Sequence, residues 1–255
     1  GIMDHLVDCP YRFGFTGTLD GTQTHKLVLE GLFGPVKKVT TTAELIEQKH
    51  LSEFKIKSIV LSYADETRQT VSKYAYRDEI NFLVQNKARN QFIVNLAEQL
   101  DGNTLILYQL VEKQGEVLYN MLSNSTKDVF YVSGDVKGLV REDIRQTVET
   151  KDRSIIVASY GTFSTGVNIK NLHNIIFASP SKSRIRNLQS VGRGLRKGDN
   201  KAIAVLYDIA DDLSWKSKKN HTLSHFAERI KIYNEEKFNY KIYTVKLKEQ
   251  DATSN

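Results

Sequence analysis

The stretch QSVGRGLRKG, residues 189–198, sets Gln189, Arg193 and Arg196 at i, i+4 and i+7, on one face if the segment is helical. Guanidinium groups in fork geometry suit phosphate oxygens, and one aimed at a transferring phosphoryl group stabilises the charge that develops there. Gly192 and Gly194 lie between them, although each costs a helix roughly 1 kcal/mol relative to alanine. Glycine at such points lets a ligand or a second backbone come close. Leu188, Val191 and Leu195 supply the opposite, core-facing stripe. With Arg184 and Arg186 just upstream, this is the most basic stretch of the chain, and the glycines favour a functional helix over a solvated basic face. A second candidate, YGTFSTGVN at 160–168, is rich in glycine and hydroxyls. Such a loop can bring N–H groups and hydroxyls against a phosphate or sugar, or serve as an ordinary turn; the residues leave both open.

Elements that could position these loops are readable from about residue 104. Short apolar runs, TLILYQ, DVFYVS, SIIVAS, NIIFAS and AIAVLYDI, alternate with helical patterns at Gly115–Ser123, Val140–Thr150 and around QSVGRGLRKG. The fold class is therefore α/β, with a parallel sheet covered by helices on both faces, because the strands are apolar throughout rather than alternating. In such sheets the functional loops lie at the carboxyl ends of the strands. Upstream, Thr41 with Glu44 reads as a capping box for a short helix TTAELIEQ, and FKIKSIVLSY, residues 54–63, as another strand. Residues 77–100 read as one or two amphipathic helices with Ile80, Leu83, Val84, Phe92, Ile93 and Leu96 inward. DDLSWKSKKN reads as a surface loop, HTLSHFAERIKIYNEEKF as a helix and YKIYTVKL as a last strand.

The chain has 255 residues, 40% hydrophobic and 26% charged, with three prolines, the profile of a folded globular protein with one large or two modest domains. A net charge of +6 is compatible with a polyanionic partner without requiring one. A single cysteine, Cys9, excludes an internal disulfide and a cysteine-rich zinc site, and fits a reducing cytosol. No apolar run approaches the roughly 20 residues that cross a bilayer, and the start carries no basic-then-apolar signal pattern.

QSVGRGLRKG resembles the QxxGRxxR element, motif VI, of superfamily 2 helicases and translocases, and neighbouring segments match in order. Thr16-Gly17-Thr18 resembles motif III, residues 104–110 motif IV, YVSGDVKGLVREDI the glycine-containing motif after it, and residues 155–180 motif V. The matches cover residues 11–208, and LEGLFGPVKKVTTTAELIE with EEKFNYKIYTVKL most resembles phage recombination helicases. The resemblance implies a RecA-like second motor domain at 36–209, preceded by a remnant of the first domain at 1–22 and a linker at 23–35, and followed by a helix and strand extension at 210–255.

It also assigns roles. Arg193 and Arg196 reach the γ-phosphate of ATP bound on the first domain, Arg196 as arginine finger, and Gln189 orients the pair. Gly166 lies near the nucleotide; Asn168 stands where many members carry a ribose-contacting aspartate. Ser159 and Thr162 touch the nucleic-acid backbone, Tyr108 and Gln109 lie near the strand, and Thr16, Gly17 and Thr18 couple nucleotide state to strand binding. No GxxxxGK[ST] and no motif II Asp-Glu strand end occurs, so ATP and Mg²⁺ would be held mainly by an upstream RecA-like domain and this chain alone would be inactive. The implied protein is a monomeric ATP-dependent helicase of the infected host's cytoplasm. It acts on DNA, branched, single-strand and duplex, in recombination, repair and replication, and needs neither a membrane nor a protein-bound metal site in this half. A non-hydrolytic RecA-like module that binds or anneals strands by charge is the alternative.

Three further groups keep two readings each. Asp208, Asp211 and Asp212 follow a strand and could ligate a cation, or cap and turn the chain. His225, Arg229 and Tyr233 share a helix face that lines a strand-binding groove or is simply polar. Trp215 beside Lys216, Lys218 and Lys219 suits single-strand stacking, or is an anchored lysine loop.

Overall fold

The apolar runs become strands of one sheet, and what covers them explains why they do not alternate. The structure, a computed structural model, describes residues 9–15, 23–37, 54–136, 138–164, 169, 171–179 and 204–248. Within them β1 (Phe54–Ser62), β2 (Thr104–Tyr108), β3 (Asp128–Val132), β4 (Ser154–Ser159), β5 (Asn174–Phe177), β6 (Ala204–Asp212) and β7 (Asn239–Lys246) stand in the order β3-β4-β2-β5-β6-β1-β7. Every pairing is parallel. Parallel neighbours need crossovers, and helices fill that role. They are α2 (Asp65–Val71), α3 (Tyr76–Gln85), α4 (Lys87–Gln99), α5 (Glu116–Met121), α6 (Gly138–Glu149), α7 (Tyr160–Ser164) and α8 (His221–Glu235), while α1 (Gln23–Phe33) precedes β1.

Two apolar layers result. On one face Val71 of α2, Leu83 of α3, Ile93 and Ala97 of α4 and Leu118 of α5 pack on Ile106, Ile155, Ile176 and Ile209. On the other, Val148 of α6 and Tyr233 of α8 pack with Leu105, Leu107, Ile156, Ile175 and Leu206. All five β2 residues are buried, as a strand covered on both sides requires.

Several local expectations are refined. The 77–100 pattern is two helices divided at Asn86, whose side chain accepts the Arg89 N–H at 2.9 Å and so caps α4. The helix expected from Gly115 is preceded by a π turn, Val111–Gly115, before α5 begins. The segment 23–35 holds α1, closed by Gly34 at φ +85° donating to the Glu30 carbonyl at 2.8 Å. The capping-box segment 41–48 lies outside the described residues. In the loop after β6, Trp215 is half-buried and bridges to Lys218, and Arg68 Nε donates to the Ser214 carbonyl at 2.7 Å, so this is a tethered turn. The C-terminal strand β7 pairs with β1 and forms the edge of the same sheet.

The aspartates do not simply follow β6, because the strand runs through Asp212. Spaced by three, Asp208 and Asp211 point to opposite faces. Arg89 of α4 clamps Asp211 through Nε at 2.8 Å and Nη2 at 3.0 Å, and the Tyr63 hydroxyl donates to the same carboxylate at 2.7 Å. Across the sheet Arg229 of α8 holds Asp208 through Nε at 3.0 Å and Nη2 at 2.9 Å, and the Tyr233 hydroxyl donates at 2.9 Å. All six side chains are buried. Burial by itself would pull both guanidinium pKa values down; the facing aspartate charges and hydrogen bonds outweigh it and hold them above the ordinary arginine value. Arg229 and Tyr233 thus line neither a strand-binding groove nor a solvated face, while His225 is half-buried beside the Tyr76 ring at 5.2 Å. Asp212 accepts the Ser214 N–H at 3.0 Å, a turn role, and among the described residues no group of three His, Cys, Asp or Glu is placed to hold a metal ion.

The amino end of α8 is held by a carboxylate from elsewhere in the chain. Buried Glu79 of α3 accepts from Asn220 Nδ2 at 2.9 Å, His221 N at 2.9 Å, Thr222 N at 2.8 Å and Thr222 Oγ1 at 2.7 Å. Burial pushes this carboxyl up, but the four hydrogen bonds prevail and hold it below its ordinary value.

Two outcomes follow for stability. Arg89→Met leaves a buried, uncompensated Asp211 and costs about 3–5 kcal/mol in urea unfolding, whereas adding Asp211→Leu recovers most of that loss. A double variant no more stable than the single would show that packing, not charge pairing, secures β6. Because Glu79 is depressed in the fold, its contribution is complete above the unfolded value of ~4.3 and is lost as pH falls through the folded one. Wild type therefore exceeds Glu79→Gln by about 1–2 kcal/mol at neutral pH, and the gap closes in acid; a gap that widens below about pH 4 contradicts the assignment.

Candidate functional site

The connection leaving β2 leads to β3 on one side of the sheet, and the connection leaving β5 leads to β6 on the other, while β2 and β5 are neighbours. Their carboxyl ends therefore form a topological switch point, the place where open α/β sheets bind ligands. Gln109 and Ser179 stand there. The Gln109 N–H donates to Ser179 Oγ at 2.8 Å, the Ser179 hydroxyl donates to Gln114 Oε1, and Gln114 Nε2 donates to the Ala178 carbonyl at 3.1 Å. That carbonyl also receives Arg89 Nη1 at 2.7 Å. The first residues past β5 are thus fixed by a chain of hydrogen bonds that begins at the buried Arg89–Asp211 pair. The Gln109 side chain is exposed beside them.

One strand over, Ser159 ends β4 and is paired in register with Tyr108. Its hydroxyl accepts the Thr162 N–H at 3.1 Å and lies 2.8 Å from Thr162 Oγ1, which caps α7 from its own strand. Ser159 is partly exposed and Thr162 buried, so the pair offers one hydroxyl at the surface, oriented by a second beneath it.

Tyr108 is a correction to the strand-contact expectation. Its side chain is wholly buried, its hydroxyl donates to Tyr131 Oη at 3.0 Å, and the two rings stack at 6.0 Å. Burial pushes its hydroxyl pKa well up, and the Tyr131 hydrogen bond adds to it. A Cβ at Gly115 would come within 2.4 Å of the Tyr108 ring, so the π turn lies directly on the tyrosine only because residue 115 is glycine. Tyr108 supports the edge from below and presents no surface to a strand.

Thr16, Gly17, Thr18, Gly166, Asn168, Gln189, Arg193 and Arg196 lie outside the described residues. The edge described here, Gln109, Ser159, Thr162 and Ser179, consists of neutral hydrogen-bonding groups. Sequence reasoning missed Arg89, Gln114 and Ser179. A signal existed for Arg89, a charged residue one turn before Ile93 on the inward face of α4.

Comparison with known proteins agrees with this geometry. Residues 88–198 match the helicase conserved C-terminal domain. The chain is 36% identical over 259 residues to the ATP-dependent DNA helicase uvsW of Enterobacteria phage T4, across 96% of this chain and 51% of that protein. It spans about half the length of the curated relatives it matches. The crystal structure of T4 UvsW superposes with a TM-score of 0.70 at 37% identity, over 85% of this chain and 44% of that one. A Type ISP restriction-modification enzyme, LlaBIII, shares the fold with a TM-score of 0.57 at 14% identity, over 87% of this chain and 17% of the enzyme. Among the described residues no helix is long and apolar enough to cross a membrane. The RecA-like parallel sheet, its switch-point edge and these likenesses together identify the chain as a superfamily 2 helicase C-terminal half, with residues 88–198 as its helicase conserved C-terminal domain.

Proposed function

We propose that this chain is the second motor half of an ATP-dependent DNA helicase acting on branched DNA in recombination, repair and replication, in the cytoplasm of a phage-infected host. The observation that supports it most is the 36% identity to a DNA helicase along 96% of the chain. The motor domain spans 36–209, residues 1–22 belong to the domain before it, 23–35 join the two, and 210–255 extend the second. An upstream RecA-like domain of the same polypeptide holds ATP and Mg²⁺, and the protein works as a monomer. Bound there, the nucleotide supplies the free energy of phosphoryl transfer. Arg196, with Arg193 and oriented by Gln189, neutralises the charge that develops on the transferred group, and Gly166 and Asn168 line the nucleotide side. Gln109 and Ser159 meet the DNA backbone as hydrogen-bonding groups, Thr162 orients Ser159 from beneath instead of touching the strand itself, and Thr16, Gly17 and Thr18 link the two events.

A motor of this kind requires the arginine segment to reach a partner domain from a fixed base. The hydrogen bonds from Arg89 and Gln114 to the Ala178 carbonyl, and from Ser179 to Gln114, provide that base at the last described residues before it. In the full-length protein, Arg196→Ala lowers DNA-stimulated ATP turnover by about 10³-fold or more while ATP binding persists. Unchanged turnover overturns the motor reading, and DNA binding or annealing without any ATP turnover in wild type favours the non-hydrolytic alternative.

A further inference from the structure

At the far side of the sheet from β3, β1 and β7 carry an unusual concentration of positive charge. Residues 54–62 and 237–248 include Lys55, Lys57, Lys237, Lys241, Lys246 and Lys248 and no acidic residue. The parallel register sets Lys57 between Tyr207 and Lys241, Lys55 beside Asn239, and Ile59 beside Tyr243. Partners in register share a face, so Lys55, Lys57, Lys241, Tyr207 and Tyr243 all stand on the face whose carboxyl half carries Asp211 and Leu61. Lys241 and Tyr243 are exposed and Lys55 and Lys57 half-exposed. Lys57 Nζ lies 5.4 Å from the Tyr207 ring centre, and among the described residues none of these three lysines is in an ion pair. The nearby aspartates of β6 are already neutralised by Arg89 and Arg229.

Lysines on an edge strand guard against pairing with another sheet. That accounts for Lys241 on β7. It does not account for Lys55 and Lys57, because β1 is paired on both sides, to β6 and β7, and has no free edge to guard. Nor does a guard need an exposed tyrosine, Tyr243, on the rung beyond Lys241. Rungs two residues apart stand about 7 Å apart along a strand, so the face presents a ladder of cations with an exposed ring at its end. That is the chemistry of a groove that tracks a nucleic-acid backbone and stacks a base.

We infer that the β1–β7 face, through Lys55, Lys57, Lys241 and Tyr243, is a second nucleic-acid contact surface, distinct from the carboxyl edge that carries Gln109 and Ser159. It lies toward the amino ends of its strands, and so takes a different segment of a branched substrate from the one held at the switch point. The inference rests on the DNA-motor reading for its partner, and on charge complementarity for its placement.

The test is binding of a fluorescein-labelled single strand to the intact protein, without nucleotide, across a salt series. Lys57→Gln with Lys241→Gln lowers the magnitude of the log–log salt slope by about 1.4, at about 0.7 for each phosphate no longer neutralised. Tyr243→Ala weakens binding by at least about fivefold and leaves the slope unchanged. Lys231→Gln, an exposed lysine on α8, leaves affinity within about twofold and controls for net charge; coincident thermal unfolding shows that each variant is folded. A normal slope in the lysine pair overturns the second surface while leaving the motor reading intact. Wild type that binds no strand at all overturns both. Tyr243→Ala without effect, together with displacement of the lysine-dependent signal by poly-glutamate, reassigns the face to an acidic protein partner and overturns the proposal.

Discussion

The bidentate ion pair between Arg89 and Asp211 is the contact on which the site's geometry depends. Both groups are removed from water, which costs several kcal/mol per ion, and the structure offsets this by giving the carboxylate a third donor, Tyr63, and the guanidinium a second acceptor, the Ala178 carbonyl. A well-packed hydrophobic pair would serve stability as well or better. It would not tie α4 to β6 and the end of β5 at once. The pair therefore contributes position: one planar group fixes a helix, a strand and the first step of the chain beyond a neighbouring strand. Asp208 does the same on the other face with Arg229 and Tyr233, so β6 is pinned from both layers.

How much of this was legible follows from the range of the interactions. Strands such as TLILY and SIIVA were readable because a doubly covered parallel strand leaves a continuous apolar run, a local signal. In AVLYDIADD the same run contains aspartates at 208 and 211, and a local reading ends the strand at the charge. The partners that make those charges tolerable are Arg89, 122 positions away from Asp211 in sequence, and Arg229. No local window along the chain contains the first pair. Arg229 was visible as a polar residue on α8, yet its face is buried because Asp208 waits beneath it. Tyr108 differs for a similar reason: the motif IV resemblance set it near the nucleic-acid strand, whereas Gly115 over its ring and the contact with Tyr131 enclose it. Of the motif residues, Gln109, Ser159 and Thr162 come to the carboxyl edge as the parallel topology demands; the arginine helix and the threonine-rich element lie outside the described residues.

The hydrogen-bond chain at the switch point also explains why the edge can be built from neutral groups. Each of these polar groups has a partner set by a neighbour: Ser179 receives Gln109 and donates to Gln114, Gln114 donates to Ala178, and Ser159 is turned by Thr162. Groups held this way do not reorganise when a ligand arrives, and preorganised dipoles act on developing charge without the cost of reorienting. Mobile charged side chains would bind a polyanion more strongly but less specifically in register. On the proposed reading the sheet separates the two tasks: its carboxyl ends carry oriented, uncharged donors and acceptors, and β1 and β7 carry the lysines of the inferred second surface.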